Sequence, residues 1–127
     1  MKTPVEAAAA AIVDASVRVH RQLGPGLLES MYQACLAQEL RDRGNEVECE
    51  VPFPIRYGSV VIATAFRVDM VIDRVVLVEN KSVQSLLPVH EAQLLTYLRL
   101  SGHQLGFLIN WNVPTIREGL KRIAYRL

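Results

Sequence analysis

The stretch Arg67-Val-Asp-Met-Val-Ile-Asp-Arg-Val-Val-Leu-Val-Glu-Asn-Lys-Ser82 decides the fold of this chain. Its apolar residues indicate two β-strands, and Asp73-Arg74 between them indicates a tight turn. Side chains alternate between the faces of a strand, so Glu79 and Lys81 share one face and Asn80 takes the other. Charged groups in so apolar a sheet are costly to bury unless they bind something.

If the two strands pair as a hairpin, Asp69 lies close to Glu79 and Lys81, and the group suits a divalent metal with a phosphate and a water. Mg²⁺ prefers oxygen ligands in an octahedral shell. Asp69, Glu79 and the backbone carbonyl of Asn80 would supply three. The Lys81 ammonium could favour hydroxide or stabilise charge on the phosphate. Taken alone, however, the spacing favours an exposed Glu79–Lys81 ion pair worth about 0–1 kcal/mol.

The composition is that of an ordinary globular protein. The chain has 127 residues, 50% of them hydrophobic, with a net charge of +1. This length predicts a single domain, residues 1–127. No apolar run approaches the ~20 residues of a membrane span, so we expect no membrane association. Two cysteines without a C-x-x-C motif predict a reducing, cytoplasmic setting.

The periodicity predicts the element order α-α-β-β-β-α-β with a short closing element. Helical spacing and its end signals predict helices over Thr3–Leu23, about Leu27–Arg43 and Pro88 to about Leu100. A period of two predicts strands over Val47–Tyr57, Val60–Ile72, Val75–Ser82 and Leu105–Trp111. The tail Thr115–Leu127 is helical or mixed. We expect an α/β domain with a mixed sheet flanked by helices.

Two apolar helix faces and one sheet edge can be predicted as well. In the second helix the buried stripe is expected at Leu28, Met31, Tyr32, Cys35, Leu36 and Leu40. In the third it is expected at Val89, Ala92, Leu95 and Leu98 or Leu100. Pro52 and Pro54 indicate that the first strand lies at an edge, where a homodimer could pair.

This order, with D…E-x-K on its second and third strands, resembles the core of the PD-(D/E)XK nuclease superfamily. Val68-Asp69 stands at the family's X-Asp, and Glu79-Asn80-Lys81 at its (D/E)-x-K. Gln93-Leu-Leu-Thr-Tyr97 is similar to the Q-x-x-x-Y motif of the exonuclease-like branch. Gly26-Leu-Leu-Glu-Ser-Met-Tyr32 looks like the signature of the small GxxExxY family. The resemblance implies a restriction-endonuclease-like α-β-β-β-α-β core with an extra N-terminal helix.

The resemblance also implies roles for individual residues. Glu29 would help to hold the metal, although a glutamate in a first helical turn is also favoured by the helix dipole alone. Gln93 and Tyr97, four residues apart on one helix face, would order water and phosphate. Asn80 departs from the family, in which the residue between the acid and the lysine is usually aliphatic. A buried asparagine there must find hydrogen-bond partners.

The sequence therefore predicts a Mg²⁺-dependent nuclease, with Mn²⁺ as a substitute and DNA favoured over RNA as substrate. The expected catalytic residues are Asp69, Glu79, Lys81, Gln93 and Tyr97. The alternative is a catalytically weak or inactive module of the same fold that binds nucleic acid or protein. The near-neutral charge supports this alternative, because affinity for phosphates needs clustered cations.

Overall fold

The computed structural model describes residues 1–126 as a five-stranded sheet with helices on both faces. Its helices are α1 (Pro4–Leu23), α2 (Glu29–Asp42), α3 (Pro88–Ser101) and α4 (Ile116–Gly119). Its strands are β1 (Val47–Tyr57), β2 (Val60–Ile72), β3 (Val76–Lys81), β4 (Leu105–Asn110) and β5 (Leu120–Ala124). Leu127, which ends the predicted tail and the predicted domain, lies outside the described residues.

The sheet is mixed, in the order β1-β2-β3-β4-β5. β1, β2 and β3 form an antiparallel meander, and α3 carries the chain over to β4, which runs parallel to β3. The α/β architecture with an extra N-terminal helix is therefore confirmed, and β1 is an edge strand, as its prolines predicted. Because β3 and β4 are parallel, their carboxyl ends, Lys81 and Asn110, meet at one end of the sheet.

Each face of the sheet has its own apolar core. α1 and α2 cover one face, where the buried side chains include Ile12, Leu36 and Val78. α3 covers the other face with Leu94 and Leu98. Alternation along β3 therefore directs Asn80 towards α1 and α2, and Glu79 and Lys81 towards α3.

The predicted start of α1 is confirmed in detail. Thr3 caps the helix by accepting from the N–H of Glu6, and the Glu6 carboxylate accepts from the N–H of Thr3. Among residues 1–126, no helix is both long and apolar enough to span a bilayer.

The predicted apolar faces of α2 and α3 are partly wrong. The residues of α2 that are buried are Tyr32, Leu36, Ala37 and Leu40, whereas Leu28, Met31 and Cys35 are exposed. In α3 the buried residues are Leu94 and Leu98, whereas Val89 is 63% exposed. Apolar residues occur all around α3, so their spacing alone does not identify the side that meets the sheet.

The tail contains both kinds of structure. After the single helical turn of α4, β5 pairs antiparallel with β4 and forms the second edge of the sheet. Gly119 allows this reversal, because a Cβ at its position would meet the carbonyl oxygen of Asn110.

Candidate active site

Asp69 and Glu79 lie opposite each other on β2 and β3. Met70 pairs with Val78, so the next residues towards the end of β3 face each other. The N–H of Asn80 donates to Oδ2 of Asp69 at 2.8 Å. The N–H of Asp69 donates to Oε1 of Glu79 at 3.4 Å. The two carboxyl groups are therefore held close together; Glu79 is only 5% exposed, whereas Asp69 is partly buried.

This crowding changes the acidity of both groups. Burial and the neighbouring Asp69 carboxylate raise the pKa of Glu79 to about 9. Burial also raises the pKa of Asp69, against the lowering effect of the Asn80 N–H. At neutral pH the metal-free pair therefore retains a proton, at a place where a cation could replace it.

The donor set of the pair fits a hard divalent cation. Magnesium sites in proteins commonly use one or two carboxylates and keep several waters. No lysine or arginine among residues 1–126 forms an ion pair with Asp69 or Glu79. Within the same residues, no three His, Cys, Asp or Glu side chains form a metal-binding group. Glu29 is thus not joined to the pair in this structure.

Lys81, the last residue of β3, lies on the same face as Glu79 and is half-buried. Its positive charge lowers the pKa of both carboxyl groups, although burial outweighs this effect. Its carbonyl oxygen accepts from the N–H of Trp111, which fixes the end of the strand. The exposed Glu79–Lys81 ion pair considered from the sequence is not formed.

Asn80 finds the partners that its burial requires. The side chain is 1% exposed, and its Oδ1 accepts from Nε1 of Trp111 at 2.9 Å. Its Nδ2 contacts Oε1 of Gln33 and Sδ of Met70, both at 3.4 Å. The polar residue that departs from the family pattern is therefore satisfied by the tryptophan that directly follows β4.

Glu29 begins α2 at the end of the sheet where β3 stops. It is exposed, and its Oε1 accepts from the N–H of Ser82 at 3.3 Å, one residue beyond Lys81. The Ser82 hydroxyl donates to the carbonyl of Leu27 at 2.8 Å. The start of α2 is thus tied to the end of the strand that carries Glu79 and Lys81.

Tyr32 closes the loop that precedes Glu29. Its hydroxyl donates to the carbonyl of Gly24 at 2.6 Å and accepts from the N–H of Leu27 at 3.1 Å. Its ring is fully buried and stacks on Trp111, with centroids 4.9 Å apart. Gly26, at φ +100°, adopts a backbone conformation that other residues rarely take. The spacing of Gly26, Glu29 and Tyr32 thus has a structural reason.

Of the two residues predicted on α3, Tyr97 is partly buried and lies in the electric field of the carboxyl groups. Its ring stacks on Phe66, with centroids 4.4 Å apart. Partial burial raises the pKa of its hydroxyl, and the negative charges of Glu79 and Asp69 add to this rise. Gln93 lies one turn earlier and is exposed, and its side chain makes no hydrogen bond to residues 1–126.

Glu50 is a neighbour of the site that the sequence did not indicate. It lies on β1 at φ +53°, between Cys49, which pairs with Met70, and Val51, which pairs with Val68. Its carboxylate accepts from Nε2 of Gln33 at 3.0 Å. The period of two predicts a regular strand over Val47–Tyr57, and no sequence signal marks the left-handed backbone that redirects Glu50.

A concave surface joins Glu50 to Glu29 and Asp69, two of the predicted metal residues. It encloses about 420 Å³ and is lined in part by Glu29, Gln33, Glu50 and Asp69. Glu29 and Asp69 therefore border the same concavity from α2 and β2.

Known proteins match both the sequence and the fold. The sequence model of the PD-(D/E)XK nuclease superfamily matches residues 6–123. A crystal structure of a protein designated SSO0001 superposes with a TM-score of 0.59 at 25% sequence identity. The match covers 78% of this chain but 51% of that protein, so the chain spans about half its length. No protein of curated function matches the chain. Since the superfamily match spans nearly the whole sequence, the chain belongs to the PD-(D/E)XK nuclease superfamily.

Proposed function

We propose that this protein is a divalent-metal-dependent nuclease that hydrolyses phosphodiester bonds, with Mg²⁺ as its metal and Mn²⁺ as a substitute. The observation that carries the proposal is the close pair of the partly buried Asp69 and the buried Glu79, with Lys81 on the same face of β3 as Glu79. Superfamily membership supports phosphodiester hydrolysis as the reaction. The raised pKa of Glu79 supports a metal site, because a bound cation would stabilise the ionised carboxylate.

Asp69, Glu79 and the carbonyl of Asn80 would hold the metal, and Glu29 would assist. When bound, the metal would polarise the scissile phosphate and neutralise developing charge. Because Asp69 also accepts from the N–H of Asn80, its carboxylate is held in a fixed orientation.

Lys81 would position the attacking water and stabilise charge on the phosphate. Its ammonium lies at the end of β3, beside the carboxyl groups and at the edge of solvent. Tyr97 would order phosphate or water through its hydroxyl, which lies in the field of the same carboxylates. Gln93 would do so only from an exposed position one turn away.

We propose DNA rather than RNA as the substrate, a cytoplasmic location, and membership of the GxxExxY branch. The loop closure by Tyr32 supports the branch, since it gives each residue of that signature a role. We also propose a homodimer, supported by the unpaired edge of β1 and the exposed apolar tip of its hairpin.

Cleavage assays test the proposed function. Labelled DNA and RNA are incubated with the protein in EDTA, Mg²⁺ or Mn²⁺, beside Asp69→Ala, Lys81→Ala and the control Lys2→Ala, an exposed lysine. We expect metal-dependent cleavage that falls by about 10²-fold or more in the first two variants and is unchanged in the control. Metal-dependent cleavage that survives both substitutions would contradict the assignment.

The binding-module alternative differs in its need for metal. Calorimetric titration of the protein with Mg²⁺ separates the two. A nuclease of the proposed kind binds the ion and loses that binding in Glu79→Gln. A module without catalysis has no need of the site, so intact nucleic-acid affinity without metal binding would favour it.

A further inference from the structure

A groove rich in arginine lies outside the candidate active site. Two adjoining concavities, of about 460 and 570 Å³, share Val17, Arg21 and Arg117 as lining residues. Arg18 and Arg43 line the second concavity as well. We call this surface, with Arg18, Arg21, Arg43 and Arg117 along it, the arginine groove.

The arginine groove has an excess of positive charge. Arg18 and Arg43 both pair with Glu39, at 3.2 and 3.0 Å. Arg21 and Arg117 have no ion-pair partner within residues 1–126.

Four arginines against Glu39 and the lining Asp14 leave the groove at +2, whereas the whole chain carries +1. The remainder of the chain therefore sums to −1. The near-neutral total hides a local cationic surface, and a concave one concentrates its field on a bound anion.

The groove runs along α1, and one of its ends lies near the end of the sheet that carries the candidate active site. Gly24 and His20 line it, and the His20 ring lies 3.1 Å from the carbonyl oxygen of Trp111. Trp111 in turn donates its N–H to the carbonyl of Lys81. Lys81 and one wall of the groove are thus joined through a single residue.

The distance between the two sites is short along the loop as well. Leu27 contacts Ser82, next to Lys81, and it follows Gly24 by three residues. Three residues span at most about 11 Å. None of Asp69, Glu79 and Lys81 lines the groove, so it is a separate surface that adjoins the reaction site.

The geometry points to a second contact with the substrate: the arginine groove binds the phosphodiester backbone of a nucleic acid strand beyond the scissile bond. This inference rests on the proposed nuclease function. Arginine pairs with phosphate through two parallel N–H groups, and each phosphate neutralised releases bound counterions. The unpaired Arg21 and Arg117 contribute most, because they have no carboxylate to give up.

The test measures binding without cleavage. Anisotropy of a labelled DNA oligonucleotide is followed in EDTA between about 50 and 200 mM salt, with Arg21→Gln/Arg117→Gln as the double variant. We expect the slope of log affinity against log salt to fall by about 2, close to 1 for each contact removed. The matched control is the double variant Lys2→Gln/Arg99→Gln, which also removes two exposed positive charges, neither of which lines the groove; Arg99 lies on α3, on the opposite face of the sheet.

The outcomes separate this inference from the proposed function. If the Arg21→Gln/Arg117→Gln double variant shows the wild-type slope of log affinity against log salt, the inference that the groove binds nucleic acid is overturned, even if the wild-type protein cleaves DNA. A reduced slope supports the groove, even if the wild-type protein cleaves nothing. An effect equal to that of Lys2→Gln/Arg99→Gln, which removes the same number of charges, shows only loss of general charge and overturns it. So does a variant that loses binding to anionic lipid vesicles but keeps its affinity for DNA. Melting curves confirm that each variant is folded.

Discussion

At the scale of single residues, the pKa of Glu79 is strongly changed by the surrounding protein. Burial and the Asp69 carboxylate raise the pKa of its carboxyl group from the ordinary 4.5 to about 9 in the folded, metal-free protein. Between these values the folded state binds more protons, so folding opposes ionisation. Its position is favourable for a protonated acid or a metal ligand, and unfavourable for a free carboxylate.

The sign of this effect gives the first prediction. The ionisation of Glu79 should leave the free energy of unfolding of the metal-free protein unaffected below about pH 4.5. It should lower that free energy by a few kcal/mol as pH rises towards 9. Because the side chain in Glu79→Gln cannot ionise, the free energy of unfolding of this variant should lack this decline with pH. Urea unfolding at several pH values measures it, with Glu48→Gln, an exposed acid of β1, as control. If the free energy of unfolding depends on pH equally in Glu79→Gln and in the wild type, the prediction is contradicted.

Asn80 gives the second prediction at this scale. Among the described residues, its Oδ1 is the only hydrogen-bond acceptor for the buried indole N–H of Trp111. Asn80→Leu keeps a similar volume but leaves that N–H unpaired, at a cost of about 1–3 kcal/mol. Trp111→Phe removes the donor. We expect the double variant to be more stable than the sum of the single effects by about 1 kcal/mol, measured by denaturant unfolding. Additive effects would show that the bond contributes nothing.

Much of the candidate site could be predicted at the residue scale. The alternation of side chains along two paired strands was sufficient to predict that Asp69, Glu79 and Lys81 lie close together. Glu50 could not be predicted, because its left-handed backbone interrupts a pattern that otherwise reads as a regular strand. The indole partner of Asn80 lies 31 residues away, and no local pattern indicates a contact between two strands.

At the scale of elements, the Tyr32 hydroxyl makes two hydrogen bonds across the loop between α1 and α2. Tyr32→Phe removes both hydrogen bonds of that group, to Gly24 and Leu27, and keeps the ring stacked on Trp111. We expect the N–H of Leu27 to exchange with solvent hydrogen at least tenfold faster, since about 1.4 kcal/mol corresponds to that factor. The control is Tyr57→Phe, because Tyr57 is 81% exposed. Equal exchange in Tyr32→Phe and wild type would show that the loop is held otherwise.

The elements themselves could be predicted better than their faces. Caps, glycines and the change of period gave all three long helices and four strands, with ends within a few residues. The side of α3 that meets the sheet could not be predicted, because Val89, Leu95 and Leu100 are apolar but exposed. β5 is five residues long and depends on pairing with β4, so its own sequence carries little signal.

At the scale of the whole molecule, the β1–β2 hairpin extends beyond the sheet. β2 pairs with β3 only over Met70–Ile72, whereas its pairing with β1 continues to Val60. At the tip, Tyr57 is 81% exposed and Val61 57% exposed. Because β2 and β3 are antiparallel, this arm projects from the end of the sheet that carries Lys81. An exposed apolar surface of this kind commonly marks an interaction site.

The proposed homodimer gives the prediction at this scale. We expect sedimentation to show a dimer that Tyr57→Asp dissociates, because a charge at the hairpin tip opposes burial in an interface. Leu100→Asp, which changes an exposed apolar residue of α3, should leave the dimer intact. A wild-type protein that sediments as a monomer at every concentration contradicts the proposal, and so does a dimer insensitive to both changes.

A crystal structure of the protein soaked with Mn²⁺ tests most directly whether Asp69 and Glu79 form a metal site. We expect an anomalous scattering peak between the two side chains, within about 2.0–2.2 Å of an oxygen of each. The peak should be absent from Glu79→Gln crystals soaked in the same way. A wild-type crystal in which Mn²⁺ binds elsewhere, or in which Asp69 and Glu79 remain paired without it, would contradict the metal site and the nuclease mechanism built on it.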